Sequence, residues 1–160
     1  MNFTNQIKNI VSITQQDYQN LYLNIFDSID KSLKENNIQF NFESVINKII
    51  ATLKIRRAYM LPMGSDTETC YQQHDAWTYA LFTAVLFKNI AAEINEQKPL
   101  EIAKQFIPET GLNWLKKYEV IWNEWQSYLE RNIEDNKPNT FELLINITNE
   151  ALQGKKNYIQ

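Results

Sequence analysis

Tyr18, Leu21, Tyr22, Ile25, Phe26, Ile29 and Leu33 recur at spacings of three and four, which predicts an amphipathic helix. Thr14, with Asp17 three residues later, supplies its start, and the polar Lys34-Glu35-Asn36-Asn37 ends it. Ahead of it, Phe3, Ile7, Ile10, Val11 and Ile13 predict a short helix or packed arm. Asn41 caps a second stripe, Phe42, Val45, Ile46, Ile49, Ile50 and Leu53, which closes on Lys54, Arg56 and Arg57. Pro62 and Gly64 mark Met60-Leu61-Pro62-Met63-Gly64-Ser65-Asp66 as a loop. Residues 75–94 follow, preceded by a helical lead-in over 67–74. Between Ala76 and Phe87 nothing is more polar than Thr78, Thr83 and Tyr79. A helix apolar on every side must be surrounded by others, so this is the expected buried central helix.

The run breaks at Lys88-Asn89 and resumes with Ile90, Ala91, Ala92 and Ile94. It is too short and too interrupted for a bilayer, which takes about 20 predominantly apolar residues. Asn95-Glu96-Gln97-Lys98-Pro99 is expected to end it, and a short helix from Leu100 to Phe106 to break at Pro108 and Gly111. Trp114, Tyr118, Ile121, Trp122, Trp125, Tyr128 and Leu129 predict one further helix. Asn136-Lys137-Pro138-Asn139 reads as the last linker, with Asn139 and Glu142 as a capping pair. Phe141, Leu144, Ile145, Thr148, Ala151 and Leu152 predict a terminal helix stopped at Gly154. The expectation is an all-α protein: one helical domain over residues 1–153 and a flexible tail over 154–160.

Composition sharpens this picture only in places. Three glycines and four prolines in 160 residues favour long helices over turn-rich β architecture. The net charge of −3, without a polybasic block, lacks the footprint of a nucleic-acid binder, although a local basic patch stays open. The single cysteine, Cys70, permits no internal disulfide and suits a reducing compartment. No charged segment followed by an apolar one opens the chain, so a cytoplasmic location without membrane association is expected.

Candidate chemistry is sparse. His74-Asp75 could supply two metal ligands or an acid–base pair, but a hydrolytic metal site uses three or more protein ligands and a water. The preferred reading makes Asp75 a helix cap and His74 a surface residue. Cys70 lies four residues before His74 and would share a helical face with it, yet nothing supplies the electropositive surroundings of a reactive thiolate. Gly64, Gly111 and Gly154 are isolated, so no phosphate loop is present. The Trp114, Trp122 and Trp125 group could stack bases or a partner, whereas its helical period matches a core face. Lys54, Arg56 and Arg57 are the candidate contacts for nucleic acid or a partner, against their plainer reading as cations at a helix C-terminus.

From about Phe42 to Trp125 the chain resembles the TraI-like, MobH-class relaxase domain, a helical HD-type metal-phosphohydrolase module of conjugative elements. The resemblance rests on LKIRRAYMLPMGSDTE, the spacer CYQQHD and AWTYALFTAVLFKNIA, with a fainter likeness at Phe106-Ile107-Pro108-Glu109-Thr110-Gly111, Tyr118 and Trp122. It implies an HD-type bundle. In that alignment the family's His-Asp dyad falls on Lys88-Asn89, and an earlier metal-ligating His falls near Ser44. A charged lysine cannot ligate a metal and asparagine substitutes poorly for a carboxylate. The implied protein is therefore a degenerate, stand-alone relative with no catalytic residues, no metal and no cofactor. The relaxases also continue where this chain stops, which implies that it is not a complete DNA-processing enzyme.

The leading expectation is an inactive binding or assembly module in conjugative or mobile-element DNA processing, with protein partners and DNA as a further candidate. A helical adaptor for a secretion system, or an effector-like domain of unrelated ancestry, is the second hypothesis. A metal-dependent phosphohydrolase with ligands drawn from Ser44, His74, Asp75 and carboxylates is the third. For Lys88-Asn89 a structural alternative stands beside these: lysine snorkelling out of the core and asparagine bonding to neighbouring helices.

Overall fold

In a computed structural model, which describes residues 2–94, 98–130 and 139–159, the apolar run and its lead-in form one helix. This central helix, Thr67–Glu93, comprises 27 residues and spans about 40 Å at the rise of ~1.5 Å per residue. Asp66 starts it by accepting a 2.7 Å hydrogen bond from the Thr69 N–H. Asp75, expected as the cap, instead lies inside the helix. Residues 76–87 are all buried, including Thr78 and Thr83, whose hydroxyls donate back to carbonyls one turn earlier. Such a helix persists only because neighbours cover it on all sides.

Those neighbours follow the predicted stripes. In chain order the helices are α1 (Asn2–Ile10), α2 (Gln15–Tyr18), a π-helical segment (Gln19–Leu23), α3 (Asn24–Glu35), α4 (Phe42–Arg56), α5 (Thr67–Glu93), α6 (Pro99–Phe106), α7 (Glu109–Lys116), α8 (Glu119–Glu130) and α9 (Thr140–Ile159). Helices α4, α6, α7, α8 and α9 pack against α5, while α1 packs on α4. The fold is all-α, and the buried residues form one continuous core. No helix among the described residues is long and apolar enough to cross a membrane.

Local chemistry explains the boundaries. The Thr14 hydroxyl accepts from the Asp17 N–H at 3.1 Å, as the cap predicted. The α2 segment then runs without interruption through the π-helical turn into α3. There Tyr18 and Tyr22 stack at 5.2 Å, and Tyr22 packs on Tyr79 and Phe82 of α5. At the far end Asn37 adopts φ 57, and the Asn37 and Ile38 N–H groups return to the carbonyls of Lys34 and Leu33. That is the left-handed cap with which helices end, formed on asparagine instead of glycine. Asn41 and Asn139 cap α4 and α9 through their side-chain oxygens.

Three boundaries differ from expectation. The helix that begins at Pro99 ends at Phe106, ahead of Pro108, as expected, but Gly111 does not break the chain: it lies buried in the first turn of α7, for which Pro108 is the N-terminal boundary. A Cβ at Gly111 would collide with the Tyr79 hydroxyl, so the glycine serves close approach to α5. The aromatic stripe beginning at Trp114 belongs to two helices, because the chain turns at Lys117 and Tyr118 between α7 and α8. Finally, α9 passes through Gly154 to Ile159, where a stop was expected. One glycine costs a helix only about 1 kcal/mol relative to alanine, which neighbouring turns can absorb. The expected helix end at Asn95-Glu96-Gln97 and linker Asn136-Lys137-Pro138 lie outside the described residues.

Candidate functional site

The most distinctive site is a cavity where the end of α4, the following loop and the first turns of α5 meet. Its volume is about 250 Å³, and Arg56, Arg57, Tyr59, Met60, Leu61, Thr67, Cys70, Tyr71 and His74 line it. The α4 stripe places Arg56 here. Val45, Ile49, Thr52 and Leu53 are buried, and Arg56 continues that face one turn beyond Thr52 and Leu53. On the opposing wall Cys70 and His74, one turn apart, present one face of α5, as their spacing predicted.

The loop is held by its own backbone and by α5. Gly64 takes φ +83, a conformation that strains any side-chain-bearing residue, and the Ser65 N–H closes the turn on the Pro62 carbonyl at 3.2 Å. The buried Cys70 thiol points its weak donor at the Pro62 and Ser65 carbonyls, 3.6 and 3.8 Å away. Leu61 is fully buried, whereas Met60 and Tyr71 are 58% and 83% exposed and leave an apolar rim at the opening.

Arg56 dominates the electrostatics. It is only 5% exposed, and one guanidinium nitrogen donates to the His74 carbonyl at 3.3 Å. Its Nε has no hydrogen-bond partner, and no carboxylate among the described residues forms an ion pair with it. Burial pulls the Arg56 pKa down, opposed by the negative charges that Asp75 and Cys70 can carry. The Asp75 carboxylate lies 3.2 Å from His74 Nδ1, and both side chains are about half exposed. A guanidinium so placed retains its charge at neutral pH while lacking the paired acceptor that buried cations normally have.

The other candidate residues disperse. Lys54 is exposed and does not line the cavity, and Arg57 sits at its edge with a 3.4 Å bond to the Ile10 carbonyl of α1. The predicted cationic trio is therefore not one surface patch. On α5, Lys88 Nζ donates to the Tyr128 carbonyl at 3.0 Å and lies 4.3 Å from the centre of the Tyr128 ring. Asn89 donates to Val85 at 2.7 Å, within its own helix instead of across to a neighbour. Ser44 is exposed in the first turn of α4, its N–H taken by Asn41. A lysine, an asparagine amide and a lone hydroxyl do not fit a divalent cation. No group of three or more His, Cys, Asp or Glu among the described residues could hold one.

The tryptophans serve packing. Trp125 is fully buried and donates to Thr83 Oγ1 at 3.1 Å; Trp122 stacks on it at 5.4 Å, and Trp114 stacks on Tyr79 at 5.4 Å. Trp114 and Trp122 keep partial exposure, and the Lys104 and Lys116 amines lie over the Trp122 ring.

Compared with known proteins, the sequence matches no family model, and no significant similarity to a curated protein or a solved structure is found.

Proposed function

We propose that this chain is a non-catalytic binding or assembly module, a stand-alone relative of the relaxase HD-type domain serving conjugative or mobile-element DNA processing. The observation that supports binding is the cavity beside Arg56, with a buried cation inside and Met60 and Tyr71 at its opening. A polar anchor within an apolar recess is the general form of a recognition pocket. Against catalysis stand the contacts of the residues aligned with the family's metal ligands. Lys88 is held by Tyr128 and Asn89 by Val85, so neither offers a free ligating pair. The mobile-element role rests on the sequence resemblance over residues 42–125.

Elemental analysis and a phosphodiesterase assay test the non-catalytic reading. Wild type is expected to carry no stoichiometric divalent metal and to hydrolyse no phosphodiester. Lys88→His with Asn89→Asp is expected to gain weak metal binding at most, because Ser44 still leaves a ligand missing. Stoichiometric metal with hydrolysis by wild type would overturn the proposal. Co-purification from the native cell then tests the binding role: partners captured by wild type should be lost with Tyr71→Asp, an exposed substitution at the cavity opening.

A further inference from the structure

We propose that α6, α7 and α8 present a docking surface for an acidic segment of a partner protein, centred on Trp122 with Lys104 and Lys116. These three residues come from three helices and meet only in the fold. The Lys104 amine of α6 lies 5.8 Å from the centre of the Trp122 ring, and the Lys116 amine of α7 lies 5.2 Å from it. At the turn between α7 and α8 the pattern recurs, with the Lys117 amine 5.6 Å from the centre of the Tyr118 ring. All three lysines are exposed, and both aromatic residues are partly exposed. The cavity is built from other helices, so neither reading depends on the other.

Helix ends account for single lysines here. Lys104 and Lys116 stand in the last turns of α6 and α7, where a cation meets the negative end of the dipole. They do not account for two ammonium groups drawn onto one indole. The electron-rich face attracts each cation, yet the two like charges repel one another. No carboxylate among the described residues pairs with Lys104, Lys116 or Lys117; Glu101, one turn before Lys104, pairs with Lys98 at 3.6 Å. An anion laid against the lysines relieves that repulsion and makes the charge-assisted bonds that the chain itself does not supply.

Carboxylates on a protein segment match this surface better than a nucleic acid does. Trp122 is flanked by Trp125, stacked at 5.4 Å, and by the two amines, which leaves little bare face for a nucleobase. The net charge of −3 also opposes a long polyanion, whereas a short run of Asp or Glu needs only the local field.

Nuclear magnetic resonance titration of the full chain tests this with acetylated hexaglutamate amide, acetylated hexaglutamine amide and single-stranded hexathymidylate. At low ionic strength hexaglutamate is expected to bind about tenfold more tightly than either of the others. The Trp122 indole N–H should shift most among the four tryptophans. Affinity should fall about tenfold as sodium chloride rises from about 20 to about 200 mM. Lys104→Gln combined with Lys116→Gln should weaken binding about tenfold at an unchanged thermal midpoint, because both side chains are exposed. Lys31→Gln combined with Lys54→Gln, at exposed positions on α3 and α4, removes the same charge elsewhere and should leave binding within about twofold of wild type.

A preference for hexaglutamate that only the Lys104 and Lys116 pair abolishes supports the inference. Hexaglutamine or hexathymidylate binding as tightly as hexaglutamate would overturn it, as would no binding by any probe. Equal losses in the two double variants would also overturn it, by tracing the binding to net charge instead of to this surface.

Discussion

Replacing Gly111 with alanine sets two opposing effects against each other. Alanine in a helix interior is favoured over glycine by about 1 kcal/mol, which alone would stabilise α7. The new Cβ, however, would collide with the Tyr79 hydroxyl and press Tyr79 Cε2 and Ile107 Cγ2 at 3.1 Å. Tyr79 is fully buried between Tyr22, Phe82 and Trp114, and a rigid ring in that position cannot swing aside. Overpacking of this kind costs about 1–3 kcal/mol, and a contact with the end of a stiff buried ring belongs at the upper end. The net expectation for Gly111→Ala is a loss of about 1–2 kcal/mol. For a chain of this length that lowers the thermal midpoint by about 2–8 °C.

Tyr79→Phe supplies the control. The Tyr79 hydroxyl is buried without a hydrogen-bond partner, so its removal should be neutral or stabilising by about 1 kcal/mol. It also removes the closest collision, so Gly111→Ala should cost less when combined with Tyr79→Phe. Urea unfolding of wild type, both single variants and the double variant, followed by circular dichroism at 222 nm, gives this double-mutant cycle with an expected coupling of about 1 kcal/mol. A Gly111→Ala protein at least as stable as wild type would refute the packing account. So would an unchanged penalty in the double variant.

Burial raises the phenol pKa of Tyr18, Tyr22 and Tyr79, while unfolded phenols titrate near 10. Their stabilising contribution is therefore complete below pH 10 and falls as pH rises through 10 towards the folded values. Lys48 and Arg56, whose pKa values burial lowers, work in the opposite direction but are two groups against three. The unfolding free energy from urea titration should fall above pH 10, by up to about 1.4 kcal/mol per pH unit for each tyrosine; a flat profile to pH 11 would contradict their burial. At Asn37, with φ 57, glycine should raise stability by a few tenths of a kcal/mol and valine should lower it by about 1–2 kcal/mol, as read from thermal midpoints. The reverse order would place Asn37 outside the left-handed region.

The elements that were legible in the sequence are those whose signals are local. The stripes from Tyr18 to Leu33 and from Phe42 to Leu53 carried both period and cap, and residues 76–87 had no polar face to expose. The stripe from Trp114 to Leu129 hid its break because the aromatic spacing stays in phase across Lys117 and Tyr118. Pro108 did mark the end of the helix before it, whereas Gly111 only resembled a stop, since a glycine needed for close approach and one needed for a turn look alike in sequence. At the candidate site, Cys70 and His74 were correctly placed on one helical face. Arg56 was grouped with Lys54 and Arg57 by adjacency, although continuing the buried face from Val45 through Ile49 and Thr52 points to it alone. The apolar rim of Met60 and Tyr71 depends on how the loop meets α5, which no short-range pattern encodes.

The central helix leads a double life along its length. Residues 76–87 are sheathed by other helices, so their amides can exchange with solvent only when the whole domain opens. The same unbroken rod projects its first turns to carry Cys70, Tyr71 and His74 at the cavity. One wall of the recess is thus continuous with the most deeply buried helix of the molecule. A ligand that enters meets a wall whose backbone is held by an unbroken helix, so little backbone freedom remains there to lose on binding.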